Sequence, residues 1–136
     1  MNKAIFISIK PVHINKIILG TKEFEYRKYI PKKDFDTIFV YTTIPVGKIQ
    51  YILKIDEVVE QPNKISIVSD GTEEFNRGDK PKYAYHISEI YELDSPLGLR
   101  ELKSRFEFSP PQAYAYGEKY PRLMEKIIEK KKIKLR

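Results

Sequence analysis

The feature that most constrains this chain is apolar alternation of period two, which returns in five stretches separated by turn residues. Residues 4–9 send Ile5, Ile7 and Ile9 one way and Phe6 and Ser8 the other, the pattern of a strand. The same period runs through 23–30, with Phe24, Tyr26 and Ile30 opposite Glu23, Glu25, Arg27 and Tyr29. It continues through 37–43, 48–59 and 82–93, and in the last of these Tyr83, Tyr85 and Ile87 share a face. Pro45 and Gly47 mark one turn, and the polar stretch 61–80 reads as a loop with a short helix near 73–76.

Helical signals fill the intervals. Pro11 stops the first strand and suits a first helical turn, Val12, Ile14, Ile17 and Ile18 form a stripe, and Gly20 supplies a left-handed stop. A brief helix is expected after Pro96, and Pro110 and Pro111 stiffen the loop that follows. Tyr120, Leu123, Met124, Ile127 and Ile128 recur at helical spacing behind Pro121, so the last helix is amphipathic and should dock on the sheet. Five strands with peripheral helices point to a partly closed antiparallel or mixed barrel in a single domain, residues 1–129, followed by a basic tail, 130–136.

Composition narrows the chemistry. There is no cysteine, which removes disulfides and thiolate catalysis, and the two histidines, His13 and His86, stand in no zinc-binding pattern. No metal and no cofactor are expected. No apolar run approaches the roughly 20 residues of a membrane span, and MNKAIFISIK does not read as a secretory signal, so a cytoplasmic location is expected. Of the net charge of +6, Lys130, Lys131, Lys132, Lys134 and Arg136 supply five. Such a cluster attracts phosphate nonspecifically, although a frayed solubilising end has the same composition.

Chemistry concentrates in the segment from Gly20 to Arg27. The helix stop delivers Lys22 to the entrance of a strand from which Glu25 and Arg27, two apart, project together. Ser8, Lys10, Tyr41 and Gln112 are candidate supports. Amine, carboxylate and guanidinium together offer donors and an acceptor to a polar ligand with base edges and phosphate, although a solvated face with a surface ion pair would use the same residues. Tyr41, Tyr114 and Tyr116 are candidate stacking residues, whereas His13 and His86 read as solvated or satisfied side chains.

The residues 7–28, ISIKPVHINKIILGTKEFEYRK, resemble the opening of ASCH domains, a branch of the PUA-like superfamily. In these a strand and helix precede a G-x-K-x-x-E-x-R motif, here Gly20, Lys22, Glu25 and Arg27. The resemblance extends to VYTTIP at 40–45, KYAYHISEIYEL at 82–93 and SPPQAYAY at 109–116. It implies an α+β fold, a PUA-like mixed β-barrel of five to six strands with short peripheral helices and a C-terminal amphipathic helix. A basic cleft beside the first helix would bind RNA or a modified nucleotide.

Some small relatives of this type are amidohydrolases acting on acylated cytidine, and others have been proposed as ribonucleases. In the amidohydrolases a motif lysine works with a neighbouring threonine nucleophile and a glutamate. Here Glu25 occupies the threonine position, and a carboxylate cannot form that acyl-enzyme. A hydrolase would instead use Lys22 and Glu25 in acid and base roles. A protein-interaction or transcription-regulatory module built on the last helix is a third possibility.

Overall fold

A computed structural model describes residues 3–79 and 81–136, so that of the expected loop only Lys80 lies outside the described residues. Among the described residues seven strands form one curled mixed sheet: β1 (Ala4–Ile9), β2 (Phe24–Arg27), β3 (Thr37–Thr42), β4 (Lys48–Glu60), β5 (Tyr83–Gly98), β6 (Ala115–Tyr116) and β7 (Lys132–Lys134). Their order is β2-β5-β4-β3-β1-β6, with β7 also on β5. Among the described residues four α-helices decorate the sheet: α1 (Pro11–Leu19), α2 (Thr72–Arg77), α3 (Leu99–Phe106) and α4 (Pro121–Glu129). The result is the α+β half-barrel that the alternation implies.

β1 and β3 run parallel, neither at an edge of the sheet, and both faces of each are covered. On one face Ile5, Ile7 and Ile9 meet Val40, Leu53, Tyr85 and Ile87 inside the curl, and α1 covers this cluster with Ile14 and Ile17. On the other, Phe6 and Phe39 pack with Phe108 and Tyr120 under Leu123 and Ile127 of α4. A third, smaller cluster of Phe24, Ile65, Phe75 and Ala84 seats α2 against β2. The curl follows from register shifts between β3 and β4 at Val40/Tyr41 and at three places between β4 and β5. Extra residues there increase the local twist.

Several local expectations change. Val12 is exposed, so the inward stripe of α1 narrows to Ile14, Ile17 and the half-buried Ile18. β2 ends at Arg27, four residues after Glu23, which leaves Ile30 exposed rather than in line with Phe24. The basic end is not frayed: β7 pairs antiparallel with β5, Tyr91 opposite Lys134 and Leu93 opposite Lys132. Arg136 then donates through Nη2 to the Ile17 carbonyl at 3.1 Å, at the C-terminal end of α1.

Candidate functional site

The site begins with the way α1 stops. Gly20 sits at φ +88°, and the amides of Gly20, Thr21 and Lys22 donate back to the Ile17 and Lys16 carbonyls at 3.1–3.2 Å. This left-handed cap turns the chain sharply, so Lys22 enters just before β2. Both Lys22 (7 % exposed) and Glu25 (5 % exposed) are buried, with Lys22 Nζ 3.0 Å from Glu25 Oε1. Glu25 Oε2 accepts from Arg27 Nε at 2.8 Å and also pairs with Nη2 at 2.6 Å. Burial alone would lower the Arg27 pKa, but the facing Glu25 carboxylate outweighs it and raises it. Arg27 reaches further, from Nη1 to the Tyr29 hydroxyl at 3.1 Å and from Nη2 to the Ser8 carbonyl at 2.9 Å.

A cleft of about 410 Å³ opens over this floor. His13 and Lys16 of α1 form one wall, Lys22, Glu25 and Tyr26 the floor, and Asp70, Gly71, Glu74 and Pro81 the other wall. Lys16 and Asp70 pair across it at 3.3 Å. The Lys22 ammonium lies 5.9 Å from the Tyr26 ring centroid, and the Tyr26 hydroxyl donates to the Asp70 carbonyl at 3.2 Å. Burial pushes the Tyr26 phenol up to about 12. The backbone of the 61–80 loop lies so close that a Cβ on Gly71, which has φ +92°, would stand 2.5 Å from Tyr26 Cε2. His13 is held below its ordinary pKa by burial and then by the Lys22 charge, so its imidazole is neutral at pH 7.

Among the described residues the cleft lining is therefore not basic, unlike what the Lys22 segment alone led one to expect. Its lining carries the ammonium groups of Lys16 and Lys22 against the carboxylates of Glu25, Asp70 and Glu74. The loop supplies the last two of these acids. A buried ion pair of this kind contributes little net stability because desolvation offsets attraction, but it holds its charges in one geometry.

The remaining candidates lie elsewhere. Ser8 donates its hydroxyl to the Pro111 carbonyl at 2.8 Å and is tied to Arg27 only through its backbone. Lys10 is exposed at the start of α1, and Gln112 is exposed on the strap between Pro111 and Ala113. Tyr41, 2 % exposed, packs in the cluster beneath α4, with its ring 6.0 Å from Phe108. His86 contacts Asp56 at 2.6 Å outside the cleft lining. In the basic end, Lys130 reaches Ser95, Lys132 donates to the Ile128 and Lys130 carbonyls, Lys134 pairs with Glu89 at 3.7 Å and Lys131 is exposed. Among the described residues no group of three or more His, Asp or Glu is placed to hold a metal ion, and no helix is long and apolar enough to cross a membrane.

His13, Lys16, Asp70, Gly71, Glu74 and Pro81 were not singled out as site residues from the sequence. Only the left-handed potential of Gly71, next to an acid, hinted that the loop makes a close approach.

No family model matches the sequence, and no curated protein matches it. Solved structures do match in fold. The ASCH protein of Zymomonas mobilis is 22 % identical over 96 % of this chain and 98 % of that chain, with a TM-score of 0.67. A serine-to-alanine mutant of that protein gives 23 % identity over 91 % of this chain and 96 % of that one, with a TM-score of 0.66. A tyrosine-to-phenylalanine mutant gives 21 % over 95 % and 99 %, with the same score of 0.66. What so low an identity over nearly the whole of both chains shows is common architecture, and this chain accordingly has the fold of an ASCH domain.

Proposed function

We propose that the protein binds RNA or a modified nucleotide and takes one base into the cleft between α1 and the 61–80 loop. The observation that carries this reading is the fixed Lys22 and Glu25 pair, 3.0 Å apart and buried, on the floor of a cleft of about 410 Å³ beside the Tyr26 ring. A base edge presents donors and acceptors to such a surface. Lys22 has N–H groups to spare after Glu25, and Glu74, which has no ion-pair partner among the described residues, can accept from an amino group. The charge balance of the lining suits a neutral base better than a phosphate, which would meet three carboxylates. Likeness to the ASCH fold supports the same ligand class.

Mass spectrometry of nucleotides that copurify with the protein, followed by calorimetric titration of the nucleosides found, tests this. Lys22→Ala or Glu74→Gln should weaken binding roughly 10- to 150-fold, the loss of one hydrogen bond to a charged group. Unchanged affinity in both variants would remove the cleft from consideration.

Hydrolysis by Lys22 and Glu25 has less support. Each Glu25 oxygen already accepts from a cation, and the only hydroxyl among the lining residues is the high-pKa phenol of Tyr26. Turnover of an acylated cytidine or of RNA that vanished in Lys22→Ala and Glu25→Gln would reverse this preference.

A further inference from the structure

A cleft whose described lining sets two ammonium groups against three carboxylates leaves the phosphates of a longer ligand to be met elsewhere, and the surface next to it has the parts to do so. The rings of Tyr29, Tyr114 and Tyr116 stand in a row, with successive centroids 5.4 Å apart. All three are partly exposed. The row is held from behind. The Tyr29 hydroxyl accepts from Arg27 Nη1 at 3.1 Å and donates to the Ala113 carbonyl at 2.5 Å, and the Tyr29 carbonyl accepts from the Tyr85 hydroxyl at 2.5 Å. Ser8 pins the same strap at Pro111. The Lys33 amide donates to the Tyr116 oxygen at 3.2 Å, which helps to hold that phenol below its ordinary pKa.

Cations flank the row. The Lys33 ammonium lies 5.0 Å from the Tyr116 centroid and also pairs with Glu118. Lys28 and Lys32 are exposed, and their ammonium groups have no ion-pair partner among the described residues. Rigid aromatic faces beside unpaired lysines are the elements that grip unpaired bases and the backbone joining them, because every base has a π-face and every linkage a charge. A duplex hides its base faces and would not use the rings. Arg27 joins this surface to the cleft, since it bonds Glu25 on the cleft floor and Tyr29 at the head of the row.

On the reading that the cleft takes one base, we propose that single-stranded nucleic acid continues from it across Tyr29, Tyr114 and Tyr116, with phosphates on Lys28 and Lys32. The probes are dye-labelled hexanucleotides of uridine, cytidine and adenosine, their deoxy counterparts, the corresponding mononucleosides, and a hexaglutamate peptide. Hexanucleotides should bind more tightly than mononucleosides. Tyr114→Ala should weaken the hexanucleotides roughly 5- to 150-fold, the loss of one stack, while mononucleoside affinity stays constant. Tyr114→Trp, which keeps a ring, should restore binding and thereby exclude a folding defect. Lys28→Ala with Lys32→Ala should reduce the slope of log affinity against log salt by about 1.4.

Ribose and deoxyribose hexamers separate the two sources of the same chemistry. Equal hexanucleotide affinity in wild type and Tyr114→Ala would overturn the proposal and leave the cleft reading intact. So would hexaglutamate binding as well as the hexanucleotides, since that needs lysines alone. Hexamer binding that depends on Tyr114 but not on Lys22 would instead dismiss the cleft and keep the row.

Discussion

Arg27 Nη2 donates to the Ser8 carbonyl at 2.9 Å, and through this bond β2 at one end of the sheet order is tied to β1 near the other. The guanidinium also pairs with Glu25, so one side chain both holds the curl together and orients the cleft floor. Arg27→Met should cost about 3 to 5 kcal/mol, because it leaves a buried carboxylate short of a partner. Arg27→Lys should recover only part, since an ammonium cannot fork to Glu25, Tyr29 and Ser8 together. Urea unfolding measures both, and a wild-type midpoint for Arg27→Met would show that the closure does not depend on this residue.

Stability should fall as pH drops below about 6.5, in part through His13. Its folded pKa is lowered, by burial first and then by Lys22, with Lys16 and Lys10 adding and Glu25 opposing. Between the folded and unfolded pKa values the unfolded chain therefore binds more protons, and stability rises with pH across that window. His13→Gln should flatten the profile of melting temperature below about pH 6.5. An unaltered slope would mean that the imidazole gains no charge penalty from the cleft.

Gly71→Ala should destabilise the protein by about 1 to 3 kcal/mol from the left-handed backbone alone, with the close approach to Tyr26 adding to it. Tyr26→Ala in the same chain should relieve the second part and leave the first, a positive coupling in a double-mutant cycle. Simple additivity of the two changes would argue that the loop retreats without resistance.

Leu123 in α4 is fully buried against the Phe6 and Phe39 face. Leu123→Ala should therefore cost about 2 to 5 kcal/mol by chemical denaturation. A loss under about 1 kcal/mol would indicate that α4 covers the sheet without contributing to its core.

The barrel was legible in the sequence wherever a pattern repeated. Alternation located β1 and β3 to β5, and Pro11 with Gly20 bracketed α1 to within a residue. The meeting of Lys22, Glu25 and Arg27 was also legible, since a helix stop and two-residue spacing are local geometry. β6 and β7 were not, because two or three residues cannot display a period, and Lys132–Lys134 pairs with β5 through backbone atoms that carry no sequence signal. The acidic wall was hidden for another reason. Asp70 and Glu74 reach α1 only once Phe75 is packed under β2, a contact about 50 residues distant in sequence that no local pattern reports. Tyr41 shows the converse, an alternating strand position whose ring the fold encloses.

The stretch that builds the far wall leaves and rejoins the sheet at adjoining points, where the Gln61 amide donates to the Lys82 carbonyl at 3.0 Å. Because its ends already touch, a replacement of different length would add little closure entropy. On the reading that the cleft takes a base, its ligand preference would be set by a stretch whose length can vary, provided that Ile65 and Phe75 keep their packing on Phe24 and Ala84.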